Sequence, residues 1–439
     1  MFLPFRAIFY NSDAISSWAD VISPPYDVIS PDLQKKLFAK SPYNFCRLDL
    51  PEETGAARYE KAQKIWQNWL AEKILIQDKL PALYLHRHSF YLESGQKVAR
   101  LGFFAACLLE DFSAGKILPH EKTLDAPKQD RLEMMHATAA QLSPVFSLYD
   151  DPQNSIESLF ASLRKTTPFC DFTTEDSERH EIWKVQNPDI LKQFEKLWRN
   201  QLLFIADGHH RYETALNYRN EVLARHPDLP AEAAARFILM YCVNLNDSGL
   251  VILPIHRCLH SLPNFSIAAV VQNLERTFDV KTFPQDLWQQ ARQEQADLAH
   301  THHAFLLIPS LTDSENIFLI SLSHAKGASI AQERGWPSAL AGLDVTVLHQ
   351  EILQNQLGIS EADLAAQTFL DYEKSTDAAL ARVQNGSAQL AFLMNPTRIE
   401  QMQHVAEAGL KMPQKSTFFY PKIASGLIVH SVEAKTTDG

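Results

Sequence analysis

LLFIADGHHRYETAL, residues 202–216, changes pattern halfway. Leu202–Ala206 is an unbroken apolar run, which reads as a buried strand. From His209 onward the apolar residues Tyr212, Ala215 and Leu216 recur at helical spacing. A strand that ends in Asp-Gly and feeds a helix presents the free N–H groups of the helix start, where the helix dipole also favours an anion. Gly208 has no Cβ and lets the backbone come close to a ligand. His209 and His210 add donors, and Arg211 adds the planar fork that suits phosphate oxygens. Asp207 has three readings: it caps the helix, orients a histidine or holds Mg²⁺. The bland alternative is an Asp N-cap followed by two solvated histidines. Two histidines and an arginine directly after the turn favour the phosphate reading.

Three other stretches carry similar chemistry. In LPHEKTLDAPKQDRL (118–132), His120 and Glu121 lie beside Lys122 and Thr123, with Lys128, Asp130 and Arg131 close behind. A carboxylate near a histidine can act as general base towards a hydroxyl, and the cations can offset charge on a transferred phosphoryl group. The bland reading is a polar surface loop. PIHR (254–257) closes an apolar strand with a second His-Arg pair and makes Arg257 a phosphate-binding candidate. MPQKSTFFYPK (412–422) gathers Lys415, Ser416, Thr417 and Lys422 in a loop, with Lys415 the phosphate-binding candidate. VISPPYDVISP (21–31) is broken by prolines, and its Tyr26-Asp27 pair could line a ligand.

Other chemistries lack their signatures. HExxH, GxSxG, GxxxxGK[ST] and GxGxxG are all absent. The run His300–His303 has no carboxylate or Cys at ligand spacing, so no metal site is assigned. His86 and His88 alternate on a strand, which reads as one solvated face.

The chain has 439 residues, too many for one ordinary core, with 46% hydrophobic and 21% charged residues, as in globular proteins. The net charge of −11 and the lack of a basic run argue against nucleic acid as the main partner. The five cysteines are scattered, which fits a reducing compartment. The N-terminus lacks the pattern of a secretory signal, and no apolar stretch is long enough to span a bilayer, so the expected location is the cytoplasm.

Residues 56–75 read as helix, 81–92 and 99–110 as a hairpin, and 235–257 as two strands joined by a turn at Asn246–Gly249. Helix is expected around Arg131–Ala140. Beyond Pro263, helices (267–277, 345–357, 376–383, 399–408) alternate with strands. The expected architecture is α/β (α+β), with a first domain over 1–262 that holds the cleft. A smaller α+β domain over 263–439 is expected to return Lys415 to it.

In this order, SPPYDVI, LPHEKTLDAPKQDRL with SPVFSLY, ADGHHRYETAL, GLVILPIHR, LDVTVLH and MPQKSTFFYPK resemble a bacterial family of unknown function, domain of unknown function 1015. The resemblance spans about Phe5 to Gly426. The Asp-Gly-His-His-Arg stretch is also similar to the phosphate-binding motif of the ParB/sulfiredoxin-like fold. That fold includes nucleotide-binding partition proteins, sulfiredoxin and free-serine kinases. This second resemblance implies a ParB/sulfiredoxin-like core, a nucleotide (ATP or ADP) with Mg²⁺, and a small-molecule substrate such as serine or phosphoserine. It implies Gly208, His209, His210 and Arg211 as the phosphate loop and Glu121 as base on the substrate hydroxyl. The function expected is phosphotransfer to a small hydroxyl compound. The alternative is a nucleotide-binding regulator that acts through a protein partner.

Overall fold

The computed structural model describes residues 2–433, which fold into two compact units. The first comprises the chain up to Pro119, Thr123–Val251 and the segment from Pro421 onward. The second comprises His120–Lys122 and Ile252–Tyr420, so Arg257 packs there. Both are mixtures of helix and sheet, and the chain is α/β (α+β) in class.

The first unit is built on a nine-stranded mixed sheet. Its order is Ile117–Leu118, Leu203–Asp207, Val145–Tyr149, Phe237–Asn244, Lys97–Leu108, Leu83–Tyr91, Arg179–Val185 and Cys170–Thr173, with Phe2–Leu3 beside Lys97–Leu108. Phe237–Asn244 is buried at all eight positions, as a near-continuous apolar strand covered on both faces should be. It runs parallel to Val145–Tyr149 and antiparallel to Lys97–Leu108. The expected hairpin forms between Leu83–Tyr91 and Lys97–Leu108, in the register Tyr84↔Phe104 and His88↔Arg100. The two strands expected within 235–257 both form, but Val251–Leu253 does not return to pair with Phe237–Asn244. Asp247 explains the divergence. Its carboxylate accepts from the Leu101 N–H at 3.1 Å and the Gly249 N–H at 2.8 Å, which fixes the turn against the neighbouring strand.

One reading is overturned here. His86 and His88 are fully buried rather than solvated, because His180, Phe104 and Tyr241 of other strands pack against their rings. The helix expected from Arg131 starts six residues earlier and spans Asp125–Thr138. Pro127 does not delay it, because in the first turn a missing N–H breaks no intrahelical bond.

The second unit is a six-stranded antiparallel sheet, ordered Asp279–Pro284, Asn316–Ser323, His302–Pro309, Leu390–Leu393, His256–Leu259 and Leu370–Glu373. Leu306, Leu319, Ala391, Leu393, Ala379 and Val383 share its core. The helices expected over 376–383 and 399–408 are Thr376–Gln384 and Ile399–Glu407. The one expected over 345–357 continues as a wide-wound helix over Val347–Gln356. Among the described residues no helix is long and apolar enough to cross a membrane.

Candidate functional site

The strand Leu203–Asp207 leads through Gly208 into the helix His209–Arg225. Gly208, not Asp207, is the N-cap residue, in a left-handed conformation at φ 93° and ψ 29°. It brings no side-chain hydrogen bond to the helix start. The Asp N-cap reading of this stretch is therefore wrong, and so is the picture of two solvated histidines, since His209 is buried.

Asp207 takes up two cations instead. One carboxylate oxygen accepts from the Arg211 guanidinium at 2.8 Å, and the other accepts from the Lys422 ammonium. Burial alone would raise the Asp207 pKa, but Lys422 and Arg211 outweigh it and hold the carboxyl well below the usual carboxylate range. Arg211 folds back over Gly208 and also donates to the Pro144 carbonyl. A Cβ at residue 208 would lie 2.9 Å from the Arg211 Nε, so the glycine is needed for this approach as well as for its φ. The helix is anchored to its neighbour, Asp125–Thr138. The Nε2 of His210 accepts from the Leu124 N–H at 2.9 Å, and Glu213 accepts from Thr123 at 2.8 Å and from Lys128 at 3.1 Å.

Arg211 also lines a small cavity of about 40 Å³ with Tyr26, Asp49, Arg131 and Ser143. Arg131 pairs with Asp49 at 2.7 Å and with Asp130 at 2.6 Å, and its guanidinium lies 3.9 Å from the centre of the Tyr26 ring. Tyr26 therefore lines a cavity, while Arg131 is committed to two carboxylates.

The candidates divide between the units. Asp207, Gly208, His209, His210 and Arg211 are contiguous in the first. His120, Glu121, Arg257 and Lys415 belong to the second. There, His120 is buried, with its Nε2 3.1 Å from the Thr417 hydroxyl, while Glu121 is half-buried. Arg257 donates to the Lys415 carbonyl at 3.0 Å, so Lys415 contributes its backbone there and its side chain is exposed.

Sequence reasoning missed two groupings. Lys422 is 215 residues from Asp207, and nothing local announces the pair. The buried cluster of His86, His88, His180 and Glu178 was also missed. Among the described residues, His88, Glu178 and His180 are the one group of three or more His, Cys, Asp or Glu residues whose ligand atoms all lie within 4.8 Å of one another. The His88 and His180 rings stack at 4.2 Å with 24° between their planes. The Nε2 atoms of both rings lie near the same Glu178 oxygen, at 2.9 Å from His88 and 3.9 Å from His180. Burial, first of all, holds all three imidazoles well below their ordinary pKa, so they are neutral at pH 7.

No curated protein matches the chain. Among solved structures it is similar to a mutant free serine kinase in complex with AMP, at 12% identity and a TM-score of 0.34, covering 72% of this chain and 87% of that one. It is similar to SbnI with C-terminal truncation from Staphylococcus aureus, at 8% identity and a TM-score of 0.35, covering 76% and 90%. It is also similar to a conserved hypothetical protein from Pyrococcus furiosus, at 14% identity and a TM-score of 0.31, covering 74% and 93%. Residues 2–346 match the family described as protein of unknown function (DUF1015). With most of its length matched, the chain belongs to the DUF1015 family.

Proposed function

We propose that this protein is a phosphotransferase that uses a nucleotide, ATP or ADP with Mg²⁺, and a small hydroxyl compound, with serine or phosphoserine the first to test. One observation carries the reading. Two cations, Lys422 and Arg211, flank the single carboxylate of Asp207 at the start of a seventeen-residue helix whose N-cap is glycine. Both cations lie against the start of that helix, in the place where the helix dipole also attracts an anion. An arriving phosphate competes with Asp207 for the two cations. Asp207 is then the residue that positions Arg211 and Lys422 while the site is empty of phosphate. His209, His210 and the Gly208 backbone complete the phosphate-binding set. Glu121 takes the role that the sequence resemblance gives it: it accepts the proton of the substrate hydroxyl as the oxygen bonds to phosphorus and the donor's P–O bond breaks.

The test is a thermal-shift series with Mg²⁺ against ATP, ADP, pyrophosphate, serine and phosphoserine, followed by phosphotransfer assays with the ligands that bind. A ligand that binds only the folded state raises the melting point. The expected result is a rise with ATP or ADP in the wild type that is lost in Arg211→Ala, and phosphotransfer lost in Glu121→Gln. Full phosphotransfer in both variants refutes the proposal. Binding without turnover on any hydroxyl compound replaces it with the regulator reading.

A further inference from the structure

We infer that the second unit has an anion-binding pocket of its own, built round Arg257, which takes the phosphate group of a small metabolite. Arg257 lies on the strand His256–Leu259 and is 2% exposed. Its guanidinium donates to the Ile255 and Lys415 carbonyls, its Nε faces the His349 Nε2 at 3.3 Å, and it lies 5.2 Å from the centre of the Tyr372 ring. None of these partners carries a negative charge at neutral pH. Among the described residues no Asp or Glu pairs with Arg257. Burial pulls its pKa down to about 10, which still leaves it protonated. A buried charge is normally paired, because removing it from water without a counter-charge is costly. The carbonyls fix the direction of the fork but do not neutralise it.

The unneutralised charge lines a cavity of about 260 Å³. The cavity opens where the strand Leu390–Leu393 ends and the helix Ile399–Glu407 begins, with Asn395, Thr397, Arg398 and Gln401 in its lining beside Arg257. Arg398, at the N-cap of that helix, brings a second cation. The one carboxylate in the lining, Asp344, already accepts from the Nδ1 of His303 at 2.8 Å. Ile255, Val345 and Met394 supply apolar wall for the rest of a small organic phosphate. The inference does not depend on phosphotransfer at the first unit, because no residue of the Asp-Gly-His-His-Arg stretch takes part in it.

Isothermal titration with inorganic phosphate tests the pocket. It is carried out in an Arg211→Ala background, so that the first unit's candidate site is disabled. Saturable phosphate binding is expected to persist there. Adding Arg398→Ala or Arg257→Lys should weaken it at least about tenfold, the effect of losing one charge-assisted contact or the two-pronged fork. Adding Arg257→Met should remove it. Circular dichroism establishes that each variant is folded. If Arg257→Met does not fold, Arg398→Ala and Arg257→Lys decide, since one is exposed and the other keeps the charge. No phosphate binding in Arg211→Ala, or binding of equal affinity in all the added variants, overturns the inference. Failure of the nucleotide assays above would leave this result standing.

Discussion

Gly208→Ala probes the geometry on which the candidate site depends. At φ 93° and ψ 29°, an alanine meets the left-handed penalty, about 1–2 kcal/mol. Its Cβ would also lie 2.9 Å from both Nε and Nη2 of Arg211. The guanidinium is not a free end that swings aside, since it is held by Asp207 at 2.8 Å and by the Pro144 carbonyl. Displacing it forfeits at least one charge-assisted hydrogen bond, about 1.5–3 kcal/mol. The expected total is about 2.5–5 kcal/mol, and the two parts can be separated. In an Arg211→Ala background the steric part vanishes and Gly208→Ala should cost only the backbone part, about 1–2 kcal/mol. Differential scanning calorimetry of the four proteins gives the cycle. At about 2–4 °C per kcal/mol for a unit of this size, the single variant should lower the first unit's transition by roughly 5–20 °C. The reasoning is refuted if Gly208→Ala costs less than about 0.5 kcal/mol, or if its cost is the same with and without the Arg211 side chain.

Three further outcomes are expected. The Asp207 carboxyl is held below its unfolded value, so the stability it contributes is fully present above about pH 4 and lost as pH falls towards the folded value. Acid unfolding followed by circular dichroism should therefore begin at higher pH in Lys422→Met than in the wild type. His86, His88 and His180 are held below their ordinary value, and the unfolded chain takes up protons on them once pH drops below about 6.5. The wild-type melting point should accordingly fall between pH 6.5 and 5, and a flat profile there would contradict the buried cluster. Arg131→Met leaves Asp49, 2% exposed, without its 2.7 Å partner, and should destabilise the first unit by about 3–5 kcal/mol in chemical denaturation. A loss below about 1 kcal/mol would mean that Asp49 is solvated.

Much of the local structure was legible because its signals are local. The apolar run before Asp207, the helical spacing after His209 and the paired runs on either side of residues 92–96 each specify their element through nearby residues. Misreadings arose where a distant partner decides. His86 and His88 alternate as residues on a half-exposed strand do, yet His180, Phe104 and Tyr241, from other strands, pack against their rings. Asp207 before glycine looks like a cap, yet Lys422 and Arg211 claim its carboxylate.

The sequence by itself determined the α/β class, the strand–glycine–helix turn at residues 203–225 and the residue types gathered there, because backbone propensity and hydrophobic period act over a few residues. Only the tertiary structure decided which charges are neutralised. It gave Asp207 two cations, one of them 215 residues away, gave Arg131 two carboxylates, and left Arg257 buried with none among the described residues. The physical reason is that a charge's state depends on its burial and on the charges within a few ångströms, and the folded chain sets both.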